Sequence, residues 1–129
     1  MSLVVMDASA LLALLLEEPG AAIVRSRLED AAMTTVNLAE VVSYYAKQGI
    51  SRTSIEALLK PFQMEIIPVD TGLAYDIGMR RPLTLAGGLS LGDRSCLALA
   101  RRMNRPALTG ERRWPLIADA AGVRIELIR

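Results

Sequence analysis

The sequence predicts an α/β domain with a parallel sheet covered by helices on both faces. Three observations lead there. Short apolar runs alternate with helical patterns along the whole of the 129 residues. Acidic residues recur where strand-like runs give way to helices, on the sheet edge where α/β proteins place their active sites. The length suits a single domain, 1–129, with one core.

The elements follow in order. Leu3–Met6 is the first strand-like run, closed by Asp7. Ser9–Glu18 reads as a leucine-rich helix that stops at Pro19-Gly20, and Ala21–Ala32 as the next helix. Met33–Val36 is the second strand. Leu38–Gln48 is a helix stopped by Gly49, and Ser51–Lys60 one stopped by Pro61. Met64–Val69 is the third strand. Residues 71–81 and 92–104 are helical and are separated by Pro82, Gly87 and Gly88. Ala107–Leu108 and Val123–Ile128 are the last strands, with the helix Trp114–Ala121 between them, stopped by Gly122. There is no internal repeat, and no linker divides the chain.

Composition removes several chemistries. Hydrophobic residues make up 52% of the chain, too many for disorder. With no histidine, Ser-His-Asp and Cys-His catalysis and histidine-ligated zinc are excluded. Cys96 is the only cysteine, so there is neither an internal disulfide nor a thiolate metal cluster, and a reducing cytoplasm is expected. The longest apolar run, Ala10 to Leu16, falls far short of the roughly 20 residues of a membrane span. The first five residues lack the basic start of a signal peptide.

Charge is unevenly spread. Residues 1–79 carry 5 basic and 10 acidic side chains, and residues 80–129 carry 10 basic and 4 acidic. Arg94, Arg101, Arg102, Arg105, Arg112 and Arg113 crowd one stretch. Such a half suits an anionic partner, nucleic acid among the candidates, and equally suits solvated helix faces.

Asp7, Glu40, Asp93 and Glu111 are the candidate site residues. Each has an ordinary reading as a helix cap. Asp7 can precede a cap at Ser9. Asn37 with Glu40, and Ser90 with Asp93, have capping-box spacing. Glu111 can fall in the first turn after Thr109, and Asp70 also follows a strand. Jointly, carboxylates on one edge repel unless a cation neutralises them. An all-oxygen ligand set favours Mg²⁺ or Mn²⁺. Such sites serve phosphoryl transfer, including phosphodiester hydrolysis by activated water.

Four segments carry a family resemblance: Val5-Met6-Asp7-Ala8-Ser9-Ala10, Asn37-Leu38-Ala39-Glu40-Val41, Leu89-Ser90-Leu91-Gly92-Asp93-Arg94-Ser95-Cys96-Leu97-Ala98-Leu99-Ala100 and Leu108-Thr109-Gly110-Glu111-Arg112-Arg113-Trp114, and the closing Val123–Arg129 also fits. On these the chain resembles PIN-domain nucleases, and among them VapC-type toxins of bacterial toxin–antitoxin systems. The resemblance implies a three-layer fold with a five-stranded parallel sheet in 3-2-1-4-5 order. It implies a Mg²⁺- or Mn²⁺-dependent endoribonuclease, a homodimer and a VapB-type antitoxin partner. Asp7 and Asp93 would be the principal metal ligands, Glu40 would complete the triad, and Ser9 and Thr109 would support them. Asp70 would lie on an edge strand, outside the site. Glu111 departs from the family, which usually has aspartate there. An antitoxin segment would cross the Ser9–Glu18 and Ser51–Lys60 region, with Tyr44, Tyr45 and Phe62 as candidate lining; simple packing is the other reading of these side chains. The alternatives are a PIN-domain RNA-processing nuclease without a toxin role and a non-catalytic PIN-like binding module.

Overall fold

The computed structural model describes residues 2–129. Its five parallel strands are β1 (Val4–Met6), β2 (Ala31–Thr34), β3 (Glu65–Ile67), β4 (Ala107–Thr109) and β5 (Ile125–Leu127), arranged β3-β2-β1-β4-β5. This is the expected order. The helices are α1 (Ala8–Leu15), α2 (Ala21–Arg27), α3 (Thr35–Ala46), α4 (Arg52–Leu59), α5 (Thr71–Met79), α6 (Leu91–Met103) and α7 (Ala118–Ala121). Short 3₁₀ turns, Leu28–Asp30 and Trp114–Ile117, precede β2 and α7.

Side chains alternate across the sheet with the period of two that a strand imposes. Val4, Met6, Ala31, Met33 and Leu108 enter one apolar layer with Leu11, Leu14, Val24 and Val41. Val5, Ala32 and Ala107 enter the other with Leu73, Ile77, Leu97, Leu99 and Trp114. The central strands β1, β2 and β4 are buried on both faces, as parallel strands under helices must be. The edge strands β3 and β5 are only partly covered.

Several boundaries differ from the sequence reading. The second strand starts at Ala31 because the preceding helix tightens into the turn Leu28–Asp30, whose Asp30 carbonyl accepts from Leu3 N at 2.7 Å. It ends at Thr34, whose side chain accepts from Asn37 N and opens α3. α1 stops at Leu15, ahead of Pro19-Gly20. Gly20 is required there: its φ is +97°, and a Cβ would strike Ile128.

Register fixes the site. Val5 and Met6 lie opposite Ala107 and Leu108, so the residues after β1 and at the end of β4 fall side by side. Asp7, Thr34 and Thr109 therefore share one edge of the sheet.

Candidate active site

Asp7 is itself the N-cap of α1, rather than the residue ahead of a cap at Ser9. Its Oδ1 accepts from Ala10 N at 3.0 Å and from Ser9 Oγ at 2.7 Å; its Oδ2 accepts from Thr109 Oγ1 at 2.6 Å. The side-chain positions of Ser9 and Thr109 are linked further, with hydroxyls 3.3 Å apart and Gly110 N donating to Ser9 Oγ at 2.9 Å. Asp7 is only 4% exposed. Burial raises its pKa from 3.8 to about 6; the donated hydrogen bonds pull the other way, and the charge of Asp93 adds to the rise.

Glu40 and Asp93 come from α3 and α6, which meet across a buried polar seam. Asn37 sits at its centre, fully buried. Its Nδ2 donates to Glu40 Oε1 at 2.8 Å and to Gly92 O at 3.1 Å. Its Oδ1 accepts from Thr34 Oγ1 at 3.1 Å and from Ser95 Oγ at 3.3 Å. Both donors of the amide and its oxygen are thus engaged, with the Ser95 hydroxyl shared between Asn37 Oδ1 and Gly92 O at 2.8 Å. Asn37 is therefore not the cap that its spacing from Glu40 suggested; Thr34 is, and Asn37 orients Glu40 from within the helix. Gly92 supplies the other half of the seat. A Cβ at that position would collide with the Glu40 carboxylate, so this glycine makes room for the acid.

Asp93 forms a true capping box with Ser90: Ser90 N donates to Asp93 Oδ2 at 2.9 Å, and Asp93 N to Ser90 Oγ at 3.1 Å. Convergence shows at Cys96, buried beneath, whose Sγ donates to Val5 O at 3.8 Å. Burial first, then the charges of Asp7, Asp93 and Glu40, pushes this thiol well above its ordinary range. All three acids thus lie within electrostatic reach of this one thiol.

Glu111 is placed differently. It lies in the loop after β4, not in a helix turn, with its N–H donating to Thr109 Oγ1 at 2.9 Å. Its carboxylate accepts from Arg113 N at 3.3 Å and Arg113 Nε at 3.4 Å. Asp70 stays out of the site: it caps α5 and pairs with Arg102 at 3.0 Å, and that guanidinium holds its carboxyl below the usual range.

A hard divalent cation fits this donor set. Asp7 is a buried carboxylate, disfavoured as an anion, with no basic side chain among the described residues in ion-pair contact. Every side-chain donor around it is oxygen. Yet among the described residues no three acidic, histidine or cysteine groups are gathered tightly enough to hold an ion by themselves. The set is looser than four converging carboxylates, and Asp93 shares its charge with a helix cap.

The sequence profile of the PIN domain matches residues 4–120. The chain belongs to the PIN domain family. Solved structures agree at the level of fold. DNA-bound VapBC from Salmonella typhimurium contains a chain that aligns over 100% of both lengths, with TM-score 0.73 and 18% identity. A toxin–antitoxin complex from Klebsiella pneumoniae gives TM-score 0.69 and 19% identity over 98% of each chain. DNA-bound VapBC2 from Rickettsia felis gives 0.70 and 16%, covering 96% of this chain and 97% of that one. No curated protein matches. In this PIN domain, Asn37, Gly92, Thr34 and Ser95 form the seam beneath Glu40 and Asp93, a role the motifs did not assign them. A glycine inside the first turn of a helix, beside an acid, was the available signal for Gly92.

Proposed function

We propose that this PIN domain is a Mg²⁺- or Mn²⁺-dependent endoribonuclease and the toxin of a toxin–antitoxin pair. The observation that carries the nuclease reading is Asp7: a carboxylate buried against its own ionisation, on an edge shared with Asp93 and Glu40. Such a group gains from a bound cation, which offsets the cost of ionising it in place. Asp7 and Asp93 would hold the cation, and Glu40 would stand behind them. Once bound, the cation supplies Lewis acidity toward a phosphoryl oxygen and lowers the pKa of water.

The chain's own residues do the rest. Ser9, Thr109 and Ala10 N fix both Asp7 oxygens. Asn37 aims Glu40, which is exposed enough to accept a proton from attacking water. Arg112 and Arg113, in the loop after β4, offer charge to RNA phosphates.

The toxin reading is supported by the neighbours, which are toxin–antitoxin complexes, and by an apolar groove. This cavity, about 700 Å³, lies between α3, α4 and β3 and is lined by Leu38, Val42, Ile55, Leu59, Phe62 and Met64. It would take an apolar antitoxin helix or strand. It includes the expected Ser51–Lys60 region and Phe62; α1 and the two tyrosines are not part of its lining. Tyr44 and Tyr45 instead stack edge to face, 5.2 Å apart.

The test is cleavage of RNA by purified protein. Asp7→Asn and Asp93→Asn should each lose at least about a hundredfold, and a chelator should abolish activity. Near-wild-type cleavage by either variant would defeat the mechanism. Growth arrest on expression, relieved by the product of the adjacent gene, separates the toxin role from RNA processing.

A further inference from the structure

We infer that Arg129 is a phosphate-binding residue of the acidic edge, holding the RNA phosphate next to the one that is cut. The inference rests on the ribonuclease reading above. β5 ends at Leu127, and Ile128 N donates to Thr109 O at 3.0 Å, which carries the chain back over β4. Arg129 then lies across Gly110. A Cβ built on Gly110 would meet Arg129 Nη2 at 2.8 Å and Ser9 Oγ at 3.3 Å. Ser9 in turn donates to Asp7 at 2.7 Å. The guanidinium is therefore packed on Gly110, next to the Ser9 hydroxyl that holds the buried carboxylate.

Its anchors orient it without satisfying it. Arg129 Nη1 donates to Pro19 O at 3.1 Å and stands 3.6 Å from Glu18 Oε1. Nη2, the nitrogen facing Gly110, makes no hydrogen bond among the described residues. A planar fork with one edge fixed and the other turned toward a site suits the two nonbridging oxygens of a phosphodiester. Electrostatics gives the need: Asp7, Glu40 and Asp93 repel a polyanion, and a cation between them compensates the scissile phosphate only. The neighbouring phosphate requires a positive side chain at the rim. Arg113 already shares its charge with Glu111 and donates to Ala86 O, and Arg129 adds a second cation beside this edge.

The experiment measures binding of a short fluorescent single-stranded RNA by anisotropy, without divalent cation, in an Asp7→Asn background that cannot cut. Arg129→Gln should weaken binding about tenfold. It should also reduce the slope of log affinity against log salt by about 0.7, one phosphate contact on a single strand. Arg129→Lys should restore most of the affinity, and the melting temperature should not change. Unchanged affinity and slope in Arg129→Gln would overturn the inference. So would equal losses in Arg129→Gln and Arg129→Lys accompanied by a lower melting temperature, which would make Arg129 a staple for the Glu18–Gly20 turn. Cleavage by the otherwise wild-type chain keeps the two readings apart. If it cuts RNA and Arg129→Gln binds normally, only this inference fails; if it neither cuts nor binds, the ribonuclease reading fails and takes this one with it.

Discussion

At the scale of single residues, Asp7 sets the energetics of the site. Its pKa of about 6 in the fold against 3.8 in the unfolded chain means that the folded state binds more protons between those values. Stability therefore falls as pH rises through that window and stays reduced above it, by about 3 kcal/mol. Without divalent cation, the wild-type chain should melt at a lower temperature at pH 7.5 than at pH 5. Asp7→Asn should lack most of that dependence, and Mg²⁺ or Mn²⁺ should raise the wild-type melting temperature at pH 7.5. Thermal scans of both proteins across pH check this; identical pH profiles would mean that Asp7 ionises freely. Cleavage should decline as pH drops below about 6, since protonated Asp7 no longer binds a cation. Glu111 gives a second test at this scale. Its ion pair with Arg113 and the hydrogen bond it accepts from Arg113 N predict an auxiliary part: Glu111→Gln should impair cleavage less than Asp7→Asn does, and Glu111→Asp should remain active. A Glu111→Gln variant as inactive as Asp7→Asn would place Glu111 among the ligands.

At the scale of elements, the site depends on how α3 meets α6. Gly92→Ala should displace the Glu40 carboxylate and cut the cleavage rate while leaving RNA affinity near wild type; single-turnover kinetics separate the two. Asn37→Ala strips partners from the buried Gly92 carbonyl and from Thr34 and Ser95. A loss of about 2–3 kcal/mol in urea denaturation is expected, and a loss below 0.5 would mean that the seam is wet. This seam also marks the limit of sequence reading. The acids themselves were legible because each sits at a strand–helix junction, and the strand order came only as what the family resemblance implies. Asn37 was not, because its partner Gly92 lies 55 residues away and only the packed helices bring them together. Its spacing from Glu40 imitated a cap. Ala31 and Ala32 read as helix because alanine favours it; pairing with Val4 and Val5 decided otherwise. Arg129 escaped notice because it stands apart from the arginine-rich stretch.

For the molecule as a whole, the basic half divides rather than acting as one surface. α6 begins at the acidic edge with Asp93 and runs about 20 Å before Asn104 closes it. Arg101 and Arg102 are thereby carried away from the site, where Arg102 serves Asp70 and Arg101 lies over Gly122. Reversing Arg112 and Arg113 to glutamate should weaken RNA binding and flatten its salt dependence; reversing Arg101 should do neither. An equal effect from Arg101 would restore a single basic face. The apolar groove is a separate surface. Val42→Lys at its lip should abolish antitoxin capture while sparing RNA cleavage, measured by co-purification and by turnover. A homodimer is the expected free state, and light scattering at high concentration checks it. Among the described residues no helix is long and apolar enough to cross a membrane.

Trp114, the only tryptophan, is fully enclosed, and its indole Nε1 has no hydrogen-bond partner among the described residues. An indole without polar neighbours emits at short wavelength, and this one sits immediately after the loop that carries Glu111 and Arg113. The chain thus contains its own optical gauge. Entry of water or reorganisation of that loop should redden and dim a single fluorophore, so cation and RNA titrations can be followed by intrinsic emission without attaching a dye.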